Sequence, residues 1–164
     1  MAIGPGVSIE GQKFAPGDEA TPQQVLELAH AYRLAAGVLL PTGRRRKPLS
    51  RAPYRLTAIQ AIELYLNAFL MVRGLTAATL RGMGHDLALR SGLAADAGLK
   101  LRKKTVEHLK ALSEAREYLI MRYGPELTGN GSPLNRLDST LAEVASKASQ
   151  IVDSKRGKDP SPGR

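Results

Sequence analysis

Apolar residues crowd one stretch of this chain more than any other. Across Leu56–Arg73, read LTAIQAIELYLNAFLMVR, the polar positions Gln60, Glu63 and Asn67 fall at i, i+3 and i+7. That leaves a polar stripe only about 60° wide on a helix of 3.6 residues per turn. A helix apolar on so much of its circumference belongs in the middle of a bundle. Gly74 suits its C-terminal stop. Upstream, Thr21-Pro-Gln-Gln24 has the form of a helix start, with Thr as N-cap, Pro at the first helical position and Gln closing a capping box. Val25, Leu28, Ala29, Tyr32, Ala36 and Leu39 then recur on one face, until Pro41 and Gly43 end the helix. His30 points away from that face.

After Gly74 the glycines at 82, 84, 92 and 98 cut the chain into two short helical pieces, with His85 and Asp86 where the second begins. Asp86 there complements the positive end of a helix, and His85 is placed to hydrogen-bond locally. A long helix is predicted from about Lys103 to Tyr123, stopped by Gly124-Pro125. Val106, Leu109, Leu112, Leu119, Ile120 and Tyr123 gather on one side of it, and Arg116 projects from the same stripe. A charge on a buried face needs a partner. Glu63 on the central helix is the candidate, so an Arg116–Glu63 ion pair is expected in the core or at a cleft. Thr128-Gly-Asn-Gly-Ser reads as a loop, and Ser132-Pro133 as the cap of a last helix. There Leu134, Leu137, Leu141, Val144, Ala148 and Ile151 form a seam of heptad type. The seam packs either on its own bundle or on a second subunit.

These elements make the chain all-α: a single bundle of about five helices over residues 21–153. A flexible arm (residues 1–20, rich in Gly and Pro) and a basic flexible tail (154–164) flank it. At 164 residues one core is sufficient. Leu, Ala, Ile and Val must fill it, because the chain has no Trp and only two Phe. With no cysteine there is neither a disulfide framework nor a thiolate metal site, which fits a cytoplasmic location. The N-terminus lacks the pattern of a signal peptide, and Ile62–Val72 is too short an apolar run to span a bilayer, so no membrane role is expected.

Net charge is +9, and two thirds of the excess lies within residues 44–55, which contain six cations and no acid. Arg44, Arg45, Arg46, Lys47, Arg51 and Arg55 can therefore hold a polyanion such as RNA, or an acidic partner; the alternative is a solvated loop. No metal-ligand spacing links the three histidines, and neither a phosphate-binding GxxxxGK[ST] loop nor a GxSxG elbow is present, so no cofactor or metal is expected.

The succession AYRLAAGVLL, AIQAIELYLNAFLMVRG, GHDL and REYLIMRYGPEL resembles the HEPN superfamily of small helical domains over about residues 31–127. The resemblance implies a bundle of four or five helices, frequently homodimeric. It also implies a place in toxin–antitoxin, abortive-infection or RNA-processing systems, with a cognate antitoxin or nucleotidyltransferase as a possible partner. Active members of the superfamily cleave RNA without metal. A His acts as acid or base at the 2′-hydroxyl, and an Arg four to six residues away steadies the phosphate. Arg102 and His108 have that spacing here. On one continuous helix they would diverge by about 120°, so they converge only if Arg102 precedes the helix or a dimer joins two copies. The sequence reading is thus a HEPN-like module that binds RNA, a nucleotide or a protein partner without catalysis. Its rivals are a metal-independent endoribonuclease using Arg102 and His108, and a purely structural helical adaptor.

Overall fold

The computed structural model describes residues 7–9 and 12–158. The remainder of the proposed arm and tail lies outside them. Within the arm, β1 (Val7–Ile9) and β2 (Gln12–Phe14) pair antiparallel, where the sequence was read as loose; Val7 and Ile9 are β-branched and suit a strand. The rest is helical. α1 (Pro22–Leu39) starts on the expected capping box, with Thr21 and Gln24 bonding each other's backbone N–H, and it ends in a 3-10 turn over Leu40–Thr42.

A second 3-10 turn, Pro48–Arg51, runs directly into α2 (Ala52–Val72), one turn earlier than the apolar pattern begins. α2 is the central helix: α1, α4, α6 and α7 all pack on it, and Ile62, Tyr65, Leu66, Phe69 and Leu70 are fully buried. It stops as a glycine-dependent cap requires. Gly74 adopts φ 99°, and the N–H of Leu75 reaches back to the carbonyl of Leu70.

α3 (Ala77–Gly82) and α4 (Leu87–Asp96) are the two short pieces, capped by Thr76 and Asp86. The expected long helix is two: α5 (Lys103–Glu114) and α6 (Glu117–Tyr123), broken at Arg116, which takes φ 50°. This break overturns the Arg116–Glu63 pair. The reversal of backbone turns Arg116 out to solvent, and Glu63 is occupied by His85 and Arg90 instead. The helix count exceeds five because of this break and the separate α3. A 3-10 segment, Pro125–Asn130, leads to α7 (Leu134–Arg156), whose leucine seam faces inward: Leu137, Leu141, Val144 and Ala148 are buried and α7 lies against α2. No helix among the described residues is long and apolar enough to cross a membrane.

Candidate anion-binding pocket

The basic connector is a folded structure rather than a loose loop. After Gly43, residues Arg44–Lys47 form a turn closed by the Lys47 N–H on the Arg44 carbonyl (3.2 Å). Arg46, the third residue of that turn, takes φ 61°, a position that glycine or asparagine usually fills. Ser50 locks the turn: its Oγ accepts from the Arg44 N–H (2.7 Å) and donates to the Lys47 carbonyl (2.6 Å). The following 3-10 turn and the start of α2 then set Arg51 and Arg55 four residues apart, on one side of the helix entrance.

Between this corner and the Pro125–Asn130 segment lies a cavity of about 240 Å³. Arg45, Arg46, Lys47, Arg51 and Arg55 line it together with Pro48, Thr128, Gly129 and Leu134, and no carboxylate is among the lining residues. Of the six cations expected to bind an anion, five therefore converge; Arg44, held through its backbone, is exposed and not part of the lining. Arg45, Arg46, Lys47 and Arg51 form no ion pair among the described residues.

Arg55 differs from the others. It is buried, and its Nη1 donates to Glu117 Oε1 (2.9 Å) and to the carbonyl of Ser132 (2.6 Å), while the Ser132 N–H donates to Glu117 Oε2 (3.1 Å). It serves as an oriented wall of the pocket, with its charge largely matched by Glu117, and is not the free surface cation the sequence suggested. Two glycines make room for these arginines. A Cβ on Gly131 would lie 2.7 Å from Cζ of Arg55, and one on Gly43 would lie 2.7 Å from Cγ of Arg51. The part that Thr128, Gly129, Gly131, Glu117 and Ser132 take in the pocket is not legible in the sequence, and Ser132, expected to cap the last helix, makes no side-chain capping bond there. The Thr-Gly-Asn-Gly-Ser run was the available signal, but it indicates a loop and not what the loop closes over.

The Arg102/His108 pair is not assembled. Arg102 does precede α5, as convergence would require, yet its side chain is 82% exposed, whereas His108 is 6% exposed and beneath the surface. Nδ1 of His108 shares a hydrogen bond with Thr140 Oγ1 (2.8 Å), and its Nε2 is buried without a partner. Burial lowers the His108 pKa, opposed by nearby Glu117 and reinforced by Arg136 and Arg55. The ring is thus held away from solvent, where burial disfavours its charged form. The start of α5 is held by Glu143 of α7, which accepts from the Arg102 N–H (2.7 Å), Thr105 Oγ1 (2.5 Å) and Lys147 Nζ (2.9 Å). Burial pushes this carboxyl up, and those three donors outweigh it, bringing its pKa to about 2.

Glu63 and its partners form a separate structural cluster. Arg90, 1% exposed, donates from Nε to Asn67 Oδ1 (2.7 Å) and from Nη2 to the Leu80 carbonyl (3.0 Å), and Nη2 lies 3.6 Å from Glu63. His85 bonds Glu63 Oε2 through Nδ1 at 2.9 Å, a contact across 22 residues and not the local one expected. Asp86 caps α4 as expected, accepting from the Leu89 N–H (2.9 Å). His30 of α1, itself exposed, reaches α2 and shares a 2.7 Å hydrogen bond with the hydroxyl of buried Tyr65. No three His, Cys, Asp or Glu side chains gather as metal ligands among the described residues.

Comparisons of the chain with family models, with curated proteins and with solved structures find no match. The pocket therefore has to be interpreted from its own chemistry.

Proposed function

We propose that the protein is a HEPN-like helical module that binds the phosphates of RNA or of a nucleotide in the Arg45–Arg55 pocket, without cleaving its ligand. One observation carries this reading: five cations from a single connector line one cavity whose lining holds no acid, and four of the five form no ion pair among the described residues. Guanidinium groups hold phosphate through paired, charge-assisted hydrogen bonds. Crowding like charges in the absence of an anion is unfavourable, so an anion that enters relieves repulsion as well as making contacts. The burial of His108 supports binding without catalysis, because an acid–base group has to reach the proton it moves.

The test is fluorescence anisotropy with a labelled single-stranded RNA over a salt series. Affinity should fall steeply as salt rises, since each neutralised phosphate releases counterions. The combined Arg45→Ala, Arg46→Ala and Arg51→Ala variant should bind at least tenfold more weakly. Arg44→Ala, which removes one charge beside the cavity as each single pocket variant removes one within it, should change binding by less than threefold. Equal losses from Arg44→Ala and from each single pocket variant would mean that diffuse charge, and not the cavity, attracts RNA. The RNA should also emerge intact from prolonged incubation.

A further inference from the structure

The shape of the pocket carries a narrower conclusion than its charge. We infer that it accepts a terminal phosphate, meaning the phosphomonoester end of an RNA or the phosphate tail of a nucleotide, in preference to a phosphodiester within a strand; this rests on the anion-binding reading above.

A surface that tracks a nucleic-acid backbone spreads its cations along a groove, with successive phosphates visiting successive residues. Here the cations come from three consecutive pieces of backbone, the 44–47 turn, the 3-10 turn and the first turn of α2, and they meet at one cavity. Thr128 and Gly129 bound the far side, and the cavity stays open to solvent. At about 240 Å³ the space is smaller than the roughly 300–1,000 Å³ of pockets that take drug-sized ligands, so it suits a compact group.

The two kinds of phosphate differ in ways this convergence of cations can sense. An internal phosphodiester carries a single charge and has to lead the strand in on one side and out on another. A terminal phosphate has one attachment, carries about −1.5 to −2 charges near neutral pH and presents three acceptor oxygens. Four cations with no ion pair among the described residues, around one cavity, match the second kind. The orientation of Arg55 is set before any ligand arrives by Glu117 and the Ser132 carbonyl. A preset donor of this kind favours a ligand whose oxygens can meet it without rearrangement.

The experiment compares RNAs of one sequence bearing a 5′-phosphate, a 3′-phosphate or hydroxyls at both ends, with AMP, ADP, ATP and pyrophosphate as unlabelled competitors, at a fixed salt concentration on the full chain. At least one end-phosphorylated RNA should bind tenfold or more tightly than the hydroxyl-ended RNA, or ADP, ATP or pyrophosphate should displace RNA at micromolar concentration. Which of these occurs identifies the source of the phosphate. Arg51→Ala, whose side chain is only partly buried, should abolish the preference while leaving the melting temperature within 2–3 °C. Indifference to the ends together with failure of the competitors would overturn the inference while leaving the anion-binding reading intact. No binding by any of these ligands would overturn both.

Discussion

Arg46 occupies a backbone conformation that disfavours any residue with a Cβ, at a cost of about 1–2 kcal/mol, and it lines the pocket from there. Strain at a single position is most readily tolerated where the side chain has a use. Arg46→Gly should therefore separate two properties. Glycine adopts φ 61° freely, so the melting temperature should hold or rise, while RNA affinity should fall severalfold with the lost charge. A variant that melted lower would show that the turn depends on the arginine side chain and not merely on its backbone. Arg51 and Arg55 have different surroundings despite their spacing. They sit four apart in one run of cations, yet Arg55 is buried against Glu117, 62 residues away, and Arg51 forms no ion pair among the described residues. Nothing in the local pattern separates them, because the distinction lies in a carboxylate supplied by another helix.

At the scale of elements, Glu117 is the joint that makes the pocket wall. It opens α6, pairs with Arg55 of α2 and accepts from the N–H of Ser132 just before α7, so three elements meet on one carboxylate. Removing one partner of a buried pair leaves an uncompensated charge, and Glu117→Ala should cost about 3–5 kcal/mol in urea unfolding. Replacing both partners, as Arg55→Met with Glu117→Leu, should recover most of that loss, since an apolar pair of similar volume carries no desolvation penalty. A double variant no more stable than the single one would mean that Ser132 and its loop depend on the charges themselves. The break between α5 and α6 is what brings Glu117 into place. With Arg116 at φ 50°, α6 restarts on a new axis with Glu117 inward. Periodicity alone runs straight through this point, because the residues on both sides are good helix formers and no Gly or Pro marks the change.

For the whole molecule, two groups joined to α7 govern the response to acid. Glu143 titrates near pH 2 in the fold against an ordinary value of 4.5, so its contribution is complete above about pH 4.5 and is lost as the pH falls toward 2. His108 is held below its usual 6.5, so the unfolded chain takes up a proton first and stability declines as the pH drops below about 6.5. Chemical denaturation across pH 2–7 should accordingly show two descending steps, with Glu143→Gln flattening the lower and His108→Gln the upper. An upper step that persists in His108→Gln would assign it to another group. Both residues anchor α5 to α7, so acid should loosen that side of the bundle before the α1–α2 pairing.

Much of the architecture was determined by sequence alone, because the signals involved are local. The Thr21 capping box, the Gly74 stop, the Asp86 cap, the largely apolar girth of α2 and the heptad-type seam of α7 each follow from spacing within a few turns of backbone, whereas the inward packing of that seam does not. The concentration of cations in residues 44–55 was equally plain. Tertiary structure alone decided how those charges are used: five around a cavity, one of them tied to Glu117, and the Arg102/His108 pair divided between solvent and interior. Pairings across the chain depend on where helices cross and on which side chain reaches an otherwise uncompensated charge. Neither is encoded in the neighbourhood of any one residue.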